Sequence, residues 1–362
     1  MAGLIGIWGL FAFRLSRTLA PLLVLLVLFN IGGMLALTQS HLYSGGPLYM
    51  AVSLFLGLTS VFYAAMIERR PHLLETIANA YIAAAVLTSF LGICAYFGAI
   101  PGGLFVRYGR AAGGFEDPNV FGPFLVFPAA YTVHQLLTGS AAKFPLRAGI
   151  LAILAMGLLL SFSRGAWGLF SLAMVLMVTV LLLKNQSSAF RLRILTLSLI
   201  AFAVVVVMVV ILLQIPAVAE LFEARAKLVQ NYDGARLGRF ARYIIGFQLA
   251  AERPLGIGPL EFGLTFGEDT HNIWLKTLMD YGWLGFVSYL GVIVWTLAAG
   301  FRNLLLERPW QPFLLCAYVT LIGHILLGTV IDTDHWRHFF LLLGLVWGCL
   351  ALEARHRRAR RL

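Results

Sequence analysis

Apolar runs of about twenty residues recur along this 362-residue chain, and they decide what it can be. A run of that length crosses the hydrocarbon core of a bilayer as a helix, because only a ladder of internal hydrogen bonds satisfies the backbone where water is absent. The runs fall near residues 18–38, 47–67, 75–100, 118–137, 147–163, 165–183, 194–214, 281–300, 311–331 and 337–353. The expected fold is all-α: a polytopic transmembrane helical bundle of about 10 spans, or 11. Composition agrees, with 60% hydrophobic and 12% charged residues; soluble domains carry roughly 45–50% and about 25%. The whole of 1–362 reads as a single integral membrane domain. Residues 215–280 form its one sizeable extramembrane loop, which is expected to hold short helices. Met1–Phe13 reads as an interfacial helix or the remnant of a longer terminus, not as a signal peptide, since no positive n-region precedes it.

A formal charge of +11 would suit nucleic acid, but the cations lie in short clusters between apolar runs and in a tail of Arg355, Arg357, Arg358, Arg360 and Arg361. That layout suits loops facing anionic headgroups, so membrane lipids are expected as partners and nucleic acid is not. Arg14/Arg17, Arg69/Arg70, Lys143/Arg147, Lys184/Arg191/Arg193, Arg302/Arg308 and the tail all fall on one face. The excess of basic residues marks that face as cytoplasmic and puts both termini inside. Cys94, Cys316 and Cys349 lie inside apolar segments and read as packing residues.

The opposite face then carries an unusual set: Arg107, Arg110, Arg164, Arg236, Arg239, Arg242, His271, Asp332, Asp334, His335 and Arg337. Arginine there runs against the topological bias and calls for a function. From about Ala235 to Ala251 the chain reads as a helix with Phe240, Ile244 and Phe247 on an apolar stripe. Arg236, Arg239 and Arg242 share a neighbouring arc, where guanidinium groups could clasp phosphate oxygens or simply meet lipid headgroups. Pro254 ends that helix, and Gly256 and Gly258 allow a tight turn. Asp269 or Thr270 reads as the cap of the next helix, placing His271 in its first turn, where the helix end keeps imidazole neutral and able to accept a proton.

Arg164 lies at a turn between two apolar runs, facing either a wet cavity or an acidic partner. Asp117-Pro118-Asn119 reads as a turn into a helix start, with Arg107 and Arg110 upstream as supporting phosphate contacts. Asp332-Thr-Asp-His-Trp-Arg-His338 is a polar knot between two spans. It could orient Arg337 and the outer arginines by ion pairing, or relay protons through His335 and His338. Its Asp-X-Asp also occurs in metal-binding glycosyltransferases, but those rest on a soluble nucleotide-binding fold that this chain lacks, so no metal is assigned.

Four segments in this order, GGFEDPNVFG (113–122), SFSRGAWG (161–168), the run from Arg239 through ERPLGIGPLEFG (to 263) and HNIWLKTLMDYGWLG (271–285), resemble the O-antigen ligase and O-antigen polymerase superfamily of polytopic glycan transferases. The resemblance covers roughly residues 105–300. It implies an inverting glycosyltransferase that needs no metal or other cofactor and faces the periplasm from the bacterial cytoplasmic (inner) membrane. Such an enzyme moves a glycan from a polyprenyl diphosphate carrier, of the undecaprenyl kind, to lipid A-core, a growing polysaccharide or a protein, in lipopolysaccharide or exopolysaccharide biosynthesis. By the same resemblance Arg164 and Arg239 hold the diphosphate and His271 is the catalytic base. Tyr243 departs from the tryptophan usual at that place, and the chain is short at its N-terminal end. A flippase of lipid-linked glycans is the leading alternative. It would want charges deep within several spans, and here His134 and His324 are the polar exceptions.

Overall fold

The computed structural model describes residues 1–362 apart from 2, 4, 7–8, 10–14, 42–44, 185–186, 227–237 and 361–362. Most of the first thirteen residues, Arg14, Arg236 and the expected helix start at Ala235 thus lie outside the described residues. The regular elements among the described residues are helices and one small hairpin. In chain order the elements are α1 (Ala20–Leu37), α2 (Gly46–Arg69), α3 (Leu73–Tyr96), β1 (Val106–Arg107), β2 (Arg110–Ala111), α4 (Pro118–Phe124), α5 (Val126–Thr138), α6 (Phe144–Leu160), α7 (Arg164–Lys184), α8 (Ser188–Leu212) and α9 (Pro216–Ala226). There follow α10 (Arg239–Glu252), α11 (Glu261–Phe266), α12 (Ile273–Asp280), α13 (Gly282–Phe301), α14 (Gln311–Leu327) and α15 (Arg337–Ala359).

Among the described residues nine helices are long and apolar enough to cross a membrane, α4 and α5 counting together as Pro118–Thr138. The tenth predicted run forms α14, an apolar helix of 17 residues. The protein is an all-α, multi-pass membrane protein.

The chain divides into two compact units interleaved in sequence. The first takes residues 1–74, 229–304 and 324–362. Small residues set its packing, as they do where helices lack a hydrophobic drive to associate. Gly344 and Gly348 on α15 let α2 approach, so that a methyl group at Gly344 would lie 2.8 Å from the Ser60 carbonyl oxygen. Gly32 on α1 meets Gly285 on α13 in the same way. Beside that contact Phe29 stacks on Tyr281 with ring centres 3.9 Å apart.

A tight turn then joins α10 to the loop. Gly256 has φ +87° and Gly282 φ +62°, where only glycine is unstrained. Added bulk at Gly256 would strike the Met279 carbonyl oxygen, the very group that accepts from Ile257 N at 2.8 Å. Gly256→Ala should therefore destabilise this unit by about 1–3 kcal/mol, read as a lower unfolding temperature in detergent, whereas alanine at Gly168, within α7 and with open space around it, should not lower that temperature.

The second unit takes residues 75–228 and 305–323. Here Asp117 caps α4, accepting from Asn119 N at 2.7 Å, with Pro118 at the first helical position. Gly122 lets this helix press on the turn before α7, since a methyl there would lie 2.6 Å from the Ala166 Cβ. The first two family-like motifs thus pack directly on each other. α8 is different: of its 25 residues, Ile194 and Leu212 are the buried ones.

Candidate functional site

In the first unit, α10 turns a buried face toward the α12 region and an apolar face outward. Phe240, Ile244 and Phe247, the predicted stripe, are 64%, 62% and 63% exposed. Arg242, on the opposite side, is buried. Its Nη1 donates to the Asp269 carbonyl at 2.9 Å and pairs with Glu268 Oε2 at 2.6 Å. The other oxygen of Glu268 lies 3.0 Å from His271 Nε2. Across the ring, His271 Nδ1 stands 3.6 Å from Asp332 Oδ2. Arg242, Glu268, His271 and Asp332 thus form one chain of alternating charge, drawn from α10, the loop before α12 and the link before α15.

Two expectations about His271 are corrected. The cap of α12 is Asn272, whose Oδ1 accepts from Trp274 N and Leu275 N. His271 therefore precedes the helix instead of lying in its first turn, and its backbone is left-handed at φ +51°. A β-substituted residue held there is strained, and such strain is most often found at functional positions. Nor does the helix end hold the ring neutral. Asp332 above all, then Glu268, raise the imidazole pKa against the opposing effect of burial. Two facing carboxylates outweigh one helix terminus.

The partner groups respond in kind. His271 and Arg242 hold the Glu268 carboxyl below its ordinary value, although burial pulls the other way.

A pH dependence follows with a definite sign. If unprotonated His271 is the working form, activity falls as pH drops through its raised pKa. Asp332→Asn and Glu268→Gln each remove a carboxylate that raises that pKa, so each should move the acidic limb of the pH–rate profile to lower pH. A profile that stays in place while the rate alone changes would show that neither carboxylate acts on the ring.

A second cluster lies beside the first. Buried Lys276 pairs with Asp269 at 2.8 Å and with Asp280 at 3.5 Å. Burial would depress this lysine, yet Asp280, Asp332, Asp334 and Asp269 keep it charged. Burial in turn pushes the Asp280 carboxyl up. Asp334 receives the Tyr49 hydroxyl and lies 3.0 Å from His335 Nδ1, while His335 Nε2 faces the Tyr49 carbonyl at 3.1 Å. Despite its burial, His335 and Lys276 hold the Asp334 carboxyl at about 2.

The two aspartates of Asp332-Thr-Asp334 consequently face different partners. The expected pairing of this knot with Arg337 is also corrected: the aspartates engage His271, Tyr49 and His335, while Arg337 is exposed at the start of α15. Arg239 opens α10, its side chain outside the described residues as Arg236 is entirely.

Arg107, Arg110 and Arg164 belong to the second unit. Arg107 is exposed on the hairpin. Arg110 is buried, donating from Nε to the Ser161 carbonyl at 2.6 Å and from Nη2 to Asn119 Oδ1 at 2.8 Å. It braces the two motifs, so the expectation of a phosphate contact from it is corrected to a structural role. Arg164 is half-buried at the first position of α7, two residues after Phe162 with φ +45°.

The sequence reading passed over Glu268, Lys276, Asp280 and Tyr49. Lys276 and Asp280 carried a signal, a charged pair four residues apart within an apolar helix. Tyr49 carried none, because its partner is 285 residues away.

Residues 149–290 match the model of the O-antigen ligase family. No curated protein matches the chain. The matched stretch begins in α6, includes Arg164, Arg239, Arg242 and His271, and ends in α13. Residues 149–290 of this multi-pass chain are thus similar to the O-antigen ligase family.

Proposed function

We propose that the protein transfers a glycan from a polyprenyl diphosphate carrier to an acceptor hydroxyl at the periplasmic face of the bacterial cytoplasmic membrane, inverting the anomeric carbon. The observation that carries this is His271, strained, half-exposed and set between Asp332 and Glu268 beside a buried arginine, within the stretch that matches a ligase family. Lipid A-core, a growing polysaccharide and a protein are the acceptor classes in question.

Asp332 faces Nδ1 and favours keeping the ring proton on that nitrogen, leaving Nε2 as the accepting nitrogen; this is the usual logic of a base held by an orienting carboxylate. Glu268, 59% exposed, gives up Nε2 to the incoming hydroxyl. The hydroxyl proton passes to Nε2 and its oxygen bonds to the anomeric carbon. The bond from that carbon to the diphosphate breaks on the opposite face, and the electron pair stays on the diphosphate oxygen. Arg239, with Arg236 and Arg242, neutralises the charge that develops there, and by the family resemblance Arg164 is a further residue assigned to the diphosphate; fixed cations of this kind need no reorganisation during the reaction. The raised pKa that Asp332 and Glu268 give the ring makes His271 a stronger base.

Reconstitution with a purified polyprenyl-diphosphate glycan and candidate acceptors tests the reading. The expected product carries the inverted linkage, in equal amount with and without a chelator. Retained configuration would exclude direct displacement. Loss of activity on chelation would return the Asp332/Asp334 pair to consideration as metal ligands. Movement of the intact donor across the bilayer without transfer would favour the flippase.

A further inference from the structure

Lys276 is buried, its side chain 4% exposed, yet the transfer chemistry gives it no part. A buried ion pair adds little net stability over well-packed apolar side chains, so stability alone does not account for an ammonium group on α12. Nor is that group open to a substrate, enclosed as it is by Asp269 Oδ2 at 2.8 Å and Asp280 Oδ2 at 3.5 Å.

What the lysine does hold is the turn that carries His271. Asp269 is gripped twice, through its carboxylate by Lys276 and through its carbonyl by Arg242 at 2.9 Å. Gly263 on α11 gives the carboxylate room, since a methyl there would lie 2.9 Å from Asp269 Oδ1. Two residues on, His271 stands at φ +51°, and a residue with a side chain stays in that region only where its surroundings over-determine the backbone. After the histidine the chain is fixed again: Asn272 caps α12, and Ile273 N donates to the Gly328 carbonyl at 2.8 Å. Before it, the grip on Asp269 supplies the fastening.

We propose that Lys276 is a positioning residue: it clamps Asp269 so that His271 meets Asp332 and Glu268 in the orientation that base catalysis requires. The proposal rests on the glycan-transfer reading, which makes His271 the base.

Lys276→Gln removes the charge and keeps a hydrogen-bonding side chain, while Lys276→Arg keeps the charge. In reconstituted full-length protein Lys276→Gln should lower kcat about 10²-fold, the usual cost of a small misplacement of reacting groups. The donor KM should stay unchanged, and Lys276→Arg should restore most of the loss.

The pH–rate profile separates a clamp from a simple field. Glu268 and Asp332 lie against the ring and Arg242 lies behind Glu268; Lys276, with Asp269, Asp280 and Asp334 around it, lies behind the turn, and His335 lies beyond Asp334. Loss of the Lys276 charge alone strengthens the negative field at His271 and moves the acidic limb to higher pH. Loss of the clamp lets the ring drift from the two carboxylates that raise its pKa, which moves the limb to lower pH. The clamp predicts the second outcome. Asp269→Asn should also move the limb to lower pH, and combining it with Lys276→Gln should add little further loss of kcat.

A limb that stays in place or moves to higher pH in Lys276→Gln would overturn the clamp, as would additive losses in the double variant. If Lys276→Gln does not fold, Asp269→Asn decides: wild-type kcat overturns the clamp, and a lowered kcat at an unchanged unfolding temperature supports it. Carbethoxylation of His271 by diethyl pyrocarbonate, followed by peptide mass across pH, reads the ring's ionisation without turnover, and its midpoint should fall in Lys276→Gln. Wild-type protein that transfers nothing would sink the glycan-transfer reading, whereas an unmoved labelling midpoint would sink the clamp.

Discussion

His271→Ala should lower glycan transfer by about 10²- to 10⁴-fold, the usual contribution of a positioned general base, with the protein inserting normally. Normal insertion is expected because the ring is half-exposed and its contacts are polar, to Glu268 and Asp332. Its removal opens no cavity in the core, and alanine keeps the same Cβ on the left-handed backbone, so the backbone strain is unchanged. The measurement is single-turnover transfer in proteoliposomes, with membrane abundance and unfolding temperature followed in parallel. Wild-type transfer by this variant would eliminate His271 as the base. An inactive variant that also failed to accumulate would point to structure, and His271→Gln, which keeps a polar side chain of similar reach, would then decide between the two.

Arg239→Ala and Arg164→Ala should each lower kcat by about 10²- to 10³-fold, as removal of one fixed charge-stabilising donor does. Arg239→Lys should recover only part of the loss, because an ammonium group cannot clasp two phosphate oxygens at once. The comparison with Arg242→Ala is instructive. Arg242 is buried and bridges Glu268 to the Asp269 carbonyl, so its removal should cost folded protein as well as turnover. A normally folded Arg239→Ala variant with unchanged kcat and donor KM would remove that residue from the site.

The architecture was legible because apolar run length is a direct reading of bilayer thickness. Each predicted run corresponds to a helix, and the boundaries moved where local chemistry intervened. The turn at Asp117-Pro118 was readable for the same reason: its cap and its proline act within a few residues. His271 was legible as a residue but not as an environment. The cap fell one position later than His271 because Asn272 serves two amides, and the ring's electrostatics come from Asp332, 61 positions away, in a link that sequence order does not attach to it. Lys276 shows the same limit. Within α12 it looks like an interruption of an apolar helix, and only the fold shows that Asp269 and Asp280 enclose it.

The outward stripe of α10 has a practical consequence. Phe240, Ile244 and Phe247 turn large hydrophobic surfaces away from the protein, on the very helix whose other side holds Arg242. Once the protein is extracted, amphiphile molecules must cover that strip or purified molecules will stick to one another through it. Micelle chemistry will then reach the guanidinium through a single helix's thickness, so kinetic constants from different solubilising agents should not be pooled.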